Sequence, residues 1–312
     1  MEEGLAPRGM EVVEEVADLA DRGVRLPLER WKTTKATTGE GDPGPPPPPL
    51  PGVTIVLNHG LGAKDPATKG HKDDEWLRLV AENALQSGLA PVLYTARGHK
   101  GSSGWEASAA AGDLQQFTWD RLSGDMFSLA RNHLALGPPS SLPFVVGGSS
   151  MGSATALYCV INNPPQHFRG LVLIRPPTAW ETRRARKRFL QGSATKCQQR
   201  NAERGDHDSL SHLVLLGAAE ADLPCPHSRS SSSSTDGAEA EAEAEAEAEA
   251  YSRVKCPTLI LAVEGDDAHP LETATTLNSL IADSELHVAK DLKDACQLWP
   301  SVIREWCRRR AL

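Results

Sequence analysis

The 312-residue chain has no run of eighteen apolar residues, which excludes a membrane-spanning helix. Its first residues, MEEGLAPRGMEVVEEVADLADRG, lack both an apolar h-region and an Arg-rich, acid-poor composition, so they read as neither signal nor transit peptide. Cysteine is sparse and scattered: the six (Cys159, Cys197, Cys225, Cys256, Cys296 and Cys307) form no Cys-x-x-Cys pair. That usage suits reduced thiols in a cytoplasmic setting rather than a disulfide framework. An excess of basic residues is also missing, with 33 Lys and Arg against 41 Asp and Glu and a net charge of −8. A nucleic-acid partner, which needs concentrated positive charge, is not expected. Six of the negative charges are the glutamates from Glu239 to Glu249, and the remainder carries about −2. Metal-ligand spacing is lacking too. His71 with Asp73 and Asp74 offers the right residue types, but they are neighbours without a remote partner and read as solvated polar residues.

What is present is an ordinary globular composition, 39% hydrophobic with 26 glycines, sufficient for a sizeable core. Two stretches stand outside that core. Residues 43–52 hold seven prolines, five of them consecutive, and read as a stiff polyproline connector closing an N-terminal segment, 1–52. Residues 228–250 run from polyserine into a Glu-Ala alternation with no apolar stripe, a solvated low-complexity insertion. Elsewhere short, nearly continuous apolar runs at 53–57, 90–95, 142–146, 170–174, 257–263 and 285–288 suit strands buried on both faces of a parallel sheet. Amphipathic helices alternate with them. One is capped by Asp73 or Asp74 and ends near Gly88; the others fall at 122–136, 152–161, 271–282 and 301–310. This alternation predicts a doubly wound α/β sheet with core segments 53–176 and 254–312. Residues 177–253 interrupt the rhythm and read as a lid excursion over the carboxyl ends of the strands, where reactive groups gather.

Four motifs lie in order along that frame. Gly148-x-Ser150-x-Gly152 follows an apolar strand and precedes a helix, the context of a nucleophile elbow. The helix start aims free N–H groups, that of Met151 first, at a developing oxyanion. The strand at 54–58 ends in His59-Gly60, placing the Leu61 N–H as the second oxyanion donor. Arg97-Gly98-His99 comes third, and Gly265-Asp266-Asp267-x-His269-Pro270 fourth.

Together these motifs resemble α/β-hydrolases of the enol-lactonase, haloperoxidase and esterase type, over roughly residues 53–312 with the lid least alike. The resemblance implies an α/β-hydrolase fold: a mostly parallel sheet, helices on both faces and a lid. It implies Ser150 as nucleophile and Asp266 as triad acid, Asp267 fitting a helix cap better. It implies no metal or organic cofactor, and a small-molecule acyl substrate as partner.

The chain departs from the family pattern at the base. The loop after the last strand, where the histidine belongs, contains none, and Asp294 stands near its place. A carboxylate cannot shuttle a serine proton as imidazole does. Only two histidines follow Asp266: His287, which reads as a packed strand residue, and His269, three residues past the acid and the candidate base. Two readings follow. One is a serine hydrolase acting on a small ester, thioester or lactone through an acyl-enzyme at Ser150. The other is a catalytically impaired hydrolase-fold protein that binds a ligand or partner, with a hydrolase-fold lyase, in which Ser150 binds rather than attacks, as a third option. The basic run Arg183, Arg184, Arg186, Lys187 and Arg188 reads as a solvated lid face, with attraction of an anionic substrate as its functional alternative. Trp105, Trp119 and Trp180 fit either core packing or an apolar pocket. Cys296 is assigned no role.

Overall fold

The apolar runs become strands of one eight-stranded sheet. In the computed structural model the described residues are 10–33, 53–60, 74–99, 101–104, 114–134, 143–177, 249–310 and 312. The strands are β1 (Met10–Leu19), β2 (Val24–Thr33), β3 (Thr54–Asn58), β4 (Ala90–Tyr94), β5 (Phe144–Ser149), β6 (Phe168–Ile174), β7 (Thr258–Val263) and β8 (Ser284–Ala289). Their order is β1-β2-β4-β3-β5-β6-β7-β8. The pairings β1–β2 and β2–β4 are antiparallel and all others parallel. Every residue of β5 and β7 is buried, as continuous apolar sequence requires.

Among the described residues five α-helices cover the sheet: α1 (Glu75–Gln86), α2 (Trp119–Ser128), α3 (Met151–Asn162), α4 (Leu271–Leu280) and α5 (Leu292–Arg309). Leu77 and Val80 of α1 and Trp299, Ile303 and Trp306 of α5 pack with Ile55, Leu57, Val145 and Val172 on one face. On the other, Leu122 and Met126 of α2, Leu157 and Val160 of α3 and Leu277 of α4 pack with Val56, Val146, Leu171 and Ile260. The expected helices on both faces are therefore found. The polyproline stretch, nearly all of the lid and most of the Glu-Ala insertion lie outside the described residues.

Two elements differ from the sequence reading. Residues 10–33, expected only as part of an acidic leading segment, form a ten-rung hairpin that joins the sheet through Leu28, Glu29 and Arg30 of β2. At the sheet edge, β1 mixes charged residues in among apolar ones and never shows the continuous run by which the central strands announce themselves. The turn of the hairpin is tied inward by charge. Asp125 of α2, itself 1% exposed, accepts two hydrogen bonds from the equally buried Arg97, each 2.8 Å, and one of 3.2 Å from Arg22. The second difference is α5, expected at 301–310 but starting at Leu292 and running through Pro300. Asp291 caps it by accepting the Asp294 N–H at 2.7 Å. The proline costs one backbone hydrogen bond, but the stripe Ala295, Trp299, Ile303, Trp306 and Cys307 is buried along the whole length and outweighs it.

Candidate active site

At the carboxyl ends of β5 and β7 the sequence motifs converge. Ser150 leaves β5 with φ 52° and ψ −109°, a left-handed conformation that an L-residue adopts only under constraint. The constraint is a set of close backbone approaches. The Ser150 N–H donates to the Ile174 carbonyl at 2.9 Å, and the Ser150 carbonyl accepts from the Ala154 N–H at 3.2 Å. A Cβ on Gly152 would overlap the Asn58 carbonyl, and one on Gly148 would run into the backbone of both Gly152 and Asn58. Both glycines of the motif are thus needed for α3 to start against β3. Met151 is the first residue of α3, where the N–H has no intrahelical acceptor.

Asp266 and His269 come from the short loop between β7 and α4. Gly265 takes φ +68°, and the His269 N–H closes a turn on the Asp266 carbonyl at 3.0 Å. The turn brings the two side chains face to face: His269 Nδ1 lies 2.9 Å from Asp266 Oδ2. The other ring nitrogen, Nε2, lies 2.8 Å from Ser150 Oγ. An ionised carboxylate can only accept, so Nδ1 carries the proton and Nε2 is left to accept the serine hydroxyl hydrogen. Asp266 Oδ2 also accepts from Arg175 Nε at 2.8 Å and Nη2 at 2.5 Å, while Oδ1 accepts the Ala268 N–H at 3.2 Å. Burial is the largest single influence on this carboxyl and opposes its ionisation. The hydrogen bonds and charges of Arg175 and His269 together outweigh it and hold the carboxyl below the ordinary carboxylate range. A depression of about 620 Å³ adjoins the loop, lined by Asp266, Asp267, Pro270, Leu271, Glu272 and Thr275.

The His59-Gly60 end of β3 is held by the residue that caps α1. Asp74 Oδ1 accepts the Leu77 N–H at 3.1 Å as helix cap, and Oδ2 accepts the Gly60 N–H at 2.7 Å. Of the two caps the sequence allowed, the structure uses Asp74. His59 is wholly buried. Its Nε2 accepts the Ala96 N–H at 3.0 Å, so Nδ1–H donates to the Gly60 carbonyl at 2.8 Å. Leu61, expected as the second oxyanion donor, lies outside the described residues, as do His71, Asp73, Trp105 and Trp180.

With that geometry in view, the sequence comparison is decisive. The family model described as serine aminopeptidase, S33, matches residues 71–292, well over half of the chain. The chain belongs to this family of α/β-hydrolases. Solved structures similar to this S33 hydrolase include an esterase of Pyrococcus furiosus, at 15% identity and TM-score 0.58 over 99% of this chain and 95% of that one. The enol-lactonase of Burkholderia xenovorans LB400 aligns at 14% identity and TM-score 0.54 over 93% and 97%. The thioesterase domain of the curacin biosynthetic pathway aligns at 12% and 0.54 over 96% and 99%. At such identities the likeness establishes the α/β-hydrolase fold. No curated protein sequence matches the hydrolase.

The remaining sequence candidates fall away from the serine. Asp294 accepts the Lys290 N–H at 3.0 Å in the first turn of α5, a capping role. His287 sits in the edge strand β8 beside Glu285, 3.9 Å away. Trp119 is fully buried and stacks on Tyr158 with ring centroids 6.2 Å apart, which makes it core. Among the described residues no helix is long and apolar enough to cross a membrane, and no cluster of His, Cys, Asp and Glu could hold a metal. Arg175 and the hold of Asp74 on Gly60 go beyond what the sequence motifs indicate. A charged residue directly after the β6 run, at the carboxyl edge of the sheet, was the available signal for Arg175.

Proposed function

We propose that the protein is a serine hydrolase acting on a small ester, thioester or lactone, with Ser150 as nucleophile, His269 as general base and Asp266 as the acid that orients it. The observation that carries this reading is the 2.8 Å approach of His269 Nε2 to Ser150 Oγ, with Nδ1 on Asp266. The missing loop histidine is thereby replaced from the acid's own loop. In the first half-reaction His269 Nε2 takes the hydroxyl proton as Oγ attacks the carbonyl carbon. The N–H groups of Met151 and Leu61 hold the oxyanion, and the imidazolium returns its proton to the leaving group. In the second half a water attacks the acyl-enzyme along the same route. The activities for which the structural relatives are named (esterase, lactonase, thioesterase) share this acyl transfer and support the substrate class. The cytoplasmic setting is supported by four described cysteines, Cys159, Cys256, Cys296 and Cys307, all of them unpaired.

The test is covalent labelling by a fluorophosphonate probe, with mass spectrometry locating the adduct. Wild type labels at Ser150, and Ser150→Ala and His269→Ala do not. Intact, folded wild type that stays unlabelled and turns over no ester, thioester or lactone would replace this reading with the ligand-binding one.

A further inference from the structure

We infer that Arg175 is a positioning residue for the Asp266–His269 loop, and that it sets the pH at which the serine becomes reactive. The inference rests on the proposed nucleophilic role of Ser150. Among the described residues only two non-glycine positions have positive φ: Ser150 at 52° and Arg175 at 48°. They stand side by side at the carboxyl edge of the sheet, where Ser149 pairs with Ile174 and Ser150 donates to the Ile174 carbonyl. Strain of this kind persists only where surrounding contacts over-determine it. At Arg175 those contacts are three. Its N–H donates to the Leu261 carbonyl of β7 at 2.7 Å. Its guanidinium makes the two hydrogen bonds to Asp266 Oδ2. The same guanidinium lies 5.8 Å from the Trp76 ring centroid of α1, a cation–π distance. One residue therefore spans the nucleophile's strand neighbour, the strand that leads to the acid, and the acid itself.

The need for such a brace follows from where the base is. Acid and base sit three residues apart on one loop, so a displacement of that loop moves both together away from Ser150. Arg175 anchors the loop to the strand beside the serine. It also shares Asp266 Oδ2 with the Nδ1–H of His269, which divides the carboxylate charge between two cations once His269 is protonated. Other described charges at this end of the sheet include Asp267 on the same loop, Glu264 just past β7, Lys290 and Asp291 just past β8, Glu272 at the start of α4 and Asp74 at Gly60. Among the described residues Arg175 is the one cation in ion-pair contact with Asp266 besides His269. Without it the carboxylate acts undivided on the imidazolium, His269 holds its proton to higher pH, and the acidic limb of the labelling profile moves upward.

The experiment follows the labelling rate of Ser150 by a fluorophosphonate across pH, in wild type, Arg175→Gln and Arg175→Lys, with thermal unfolding of each. Arg175→Gln is expected to label about 10- to 100-fold more slowly at its plateau, the cost of about 1 Å of misplacement, with its acidic midpoint shifted up. Arg175→Lys keeps the charge without the fork, so its midpoint stays near that of wild type while its rate falls in between. A folded Arg175→Gln protein with wild-type rate and midpoint overturns the inference. So does a rate loss with no change of midpoint in either variant, because that is a structural defect alone. If Arg175→Gln unfolds, the Arg175→Lys profile decides: a midpoint moved as far as removing the charge would move it overturns the inference. Wild type that does not label overturns the nucleophile reading itself, a distinct result.

Discussion

Replacing Asp266 by asparagine separates two services an aspartate performs for a histidine, orienting the ring and stabilising the imidazolium. In a serine triad this substitution ordinarily presents an NH₂ group to the ring, inverts the tautomer and lowers kcat about 10⁴-fold. Here the Oδ2 position faces three donors, Arg175 Nε, Arg175 Nη2 and His269 Nδ1. Arginine has no acceptor, so the amide must turn its oxygen to that position, and Nδ1 keeps its proton. What is lost is charge, together with the acceptor of the Ala268 N–H, a contact made alike in ground and transition states. A neutral hydrogen bond to the imidazolium in place of a charge-assisted one costs about 1.5 kcal/mol. The unneutralised guanidinium, whose side chain is 20% exposed and therefore screened, adds about 1 kcal/mol of repulsion. The sum of about 2.5 kcal/mol is about a 10²-fold loss of rate. Asp266→Ala removes the orientation as well and falls by about 10⁴ or more. Pseudo-first-order labelling of Ser150 by a fluorophosphonate, on proteins shown to be folded, measures both. An Asp266→Asn protein as slow as Asp266→Ala refutes the reasoning. The double variant Arg175→Gln with Asp266→Asn, in which the amide is free to flip, is expected to drop toward the alanine level.

Three further predictions concern the frame. Asp125→Ala strands the buried guanidinium of Arg97 and also releases Arg22, so it destabilises the fold by about 3–5 kcal/mol in urea denaturation. Arg97→Met with Asp125→Leu recovers most of that; a double variant no better than the single would show the pair is not the cause. Asp74→Ser keeps a helix cap but drops the contact to Gly60, so its thermal midpoint stays near wild type while labelling of Ser150 slows; Asp74→Ala also loses about 1 kcal/mol of stability. Equal labelling by wild type and Asp74→Ser would contradict a role in placing the Gly60 turn. Asp266 ionises below its ordinary range in the folded state, so its contribution to stability is complete above about pH 4 and is lost as pH falls through the lower folded value. Acid titration of stability in Arg175→Gln should show a smaller loss, complete at higher pH than in wild type, because the folded value moves up toward the unfolded one.

Much of this protein is legible in its amino-acid order because the relevant physics is local. Continuous apolar runs suit strands covered on both sides, and the strands lie within three residues of where 53–57, 90–95, 142–146 and 257–263 indicate. The Gly-x-Ser-x-Gly turn is a local packing demand, written in the two residues whose Cβ atoms the Asn58 and Gly152 backbones would not admit. The proposed acid is equally local: Asp266 follows Gly265, which takes a positive φ just past the end of β7. The proposed base is not legible in the sequence, for the opposite reason. His269 and Ser150 are 119 residues apart, and whether a ring three positions beyond the acid reaches the serine depends on how closely β7 and β5 are brought together and how tightly the 266–269 turn closes. The N-terminal hairpin escaped notice because an edge ribbon buries one face and shows no continuous apolar run. The start of α5 escaped because Pro300 is a local stop signal that the burial of Trp299 and Ile303 overrides. Sequence alone determined which residues are chemically able to act, since that resides in side-chain type and in the short-range conformations glycine and proline permit. Only the tertiary structure decided which of them meet, because Arg175, Asp266, His269 and Ser150 are brought to one point by strands that neighbour each other in the sheet and not in the chain.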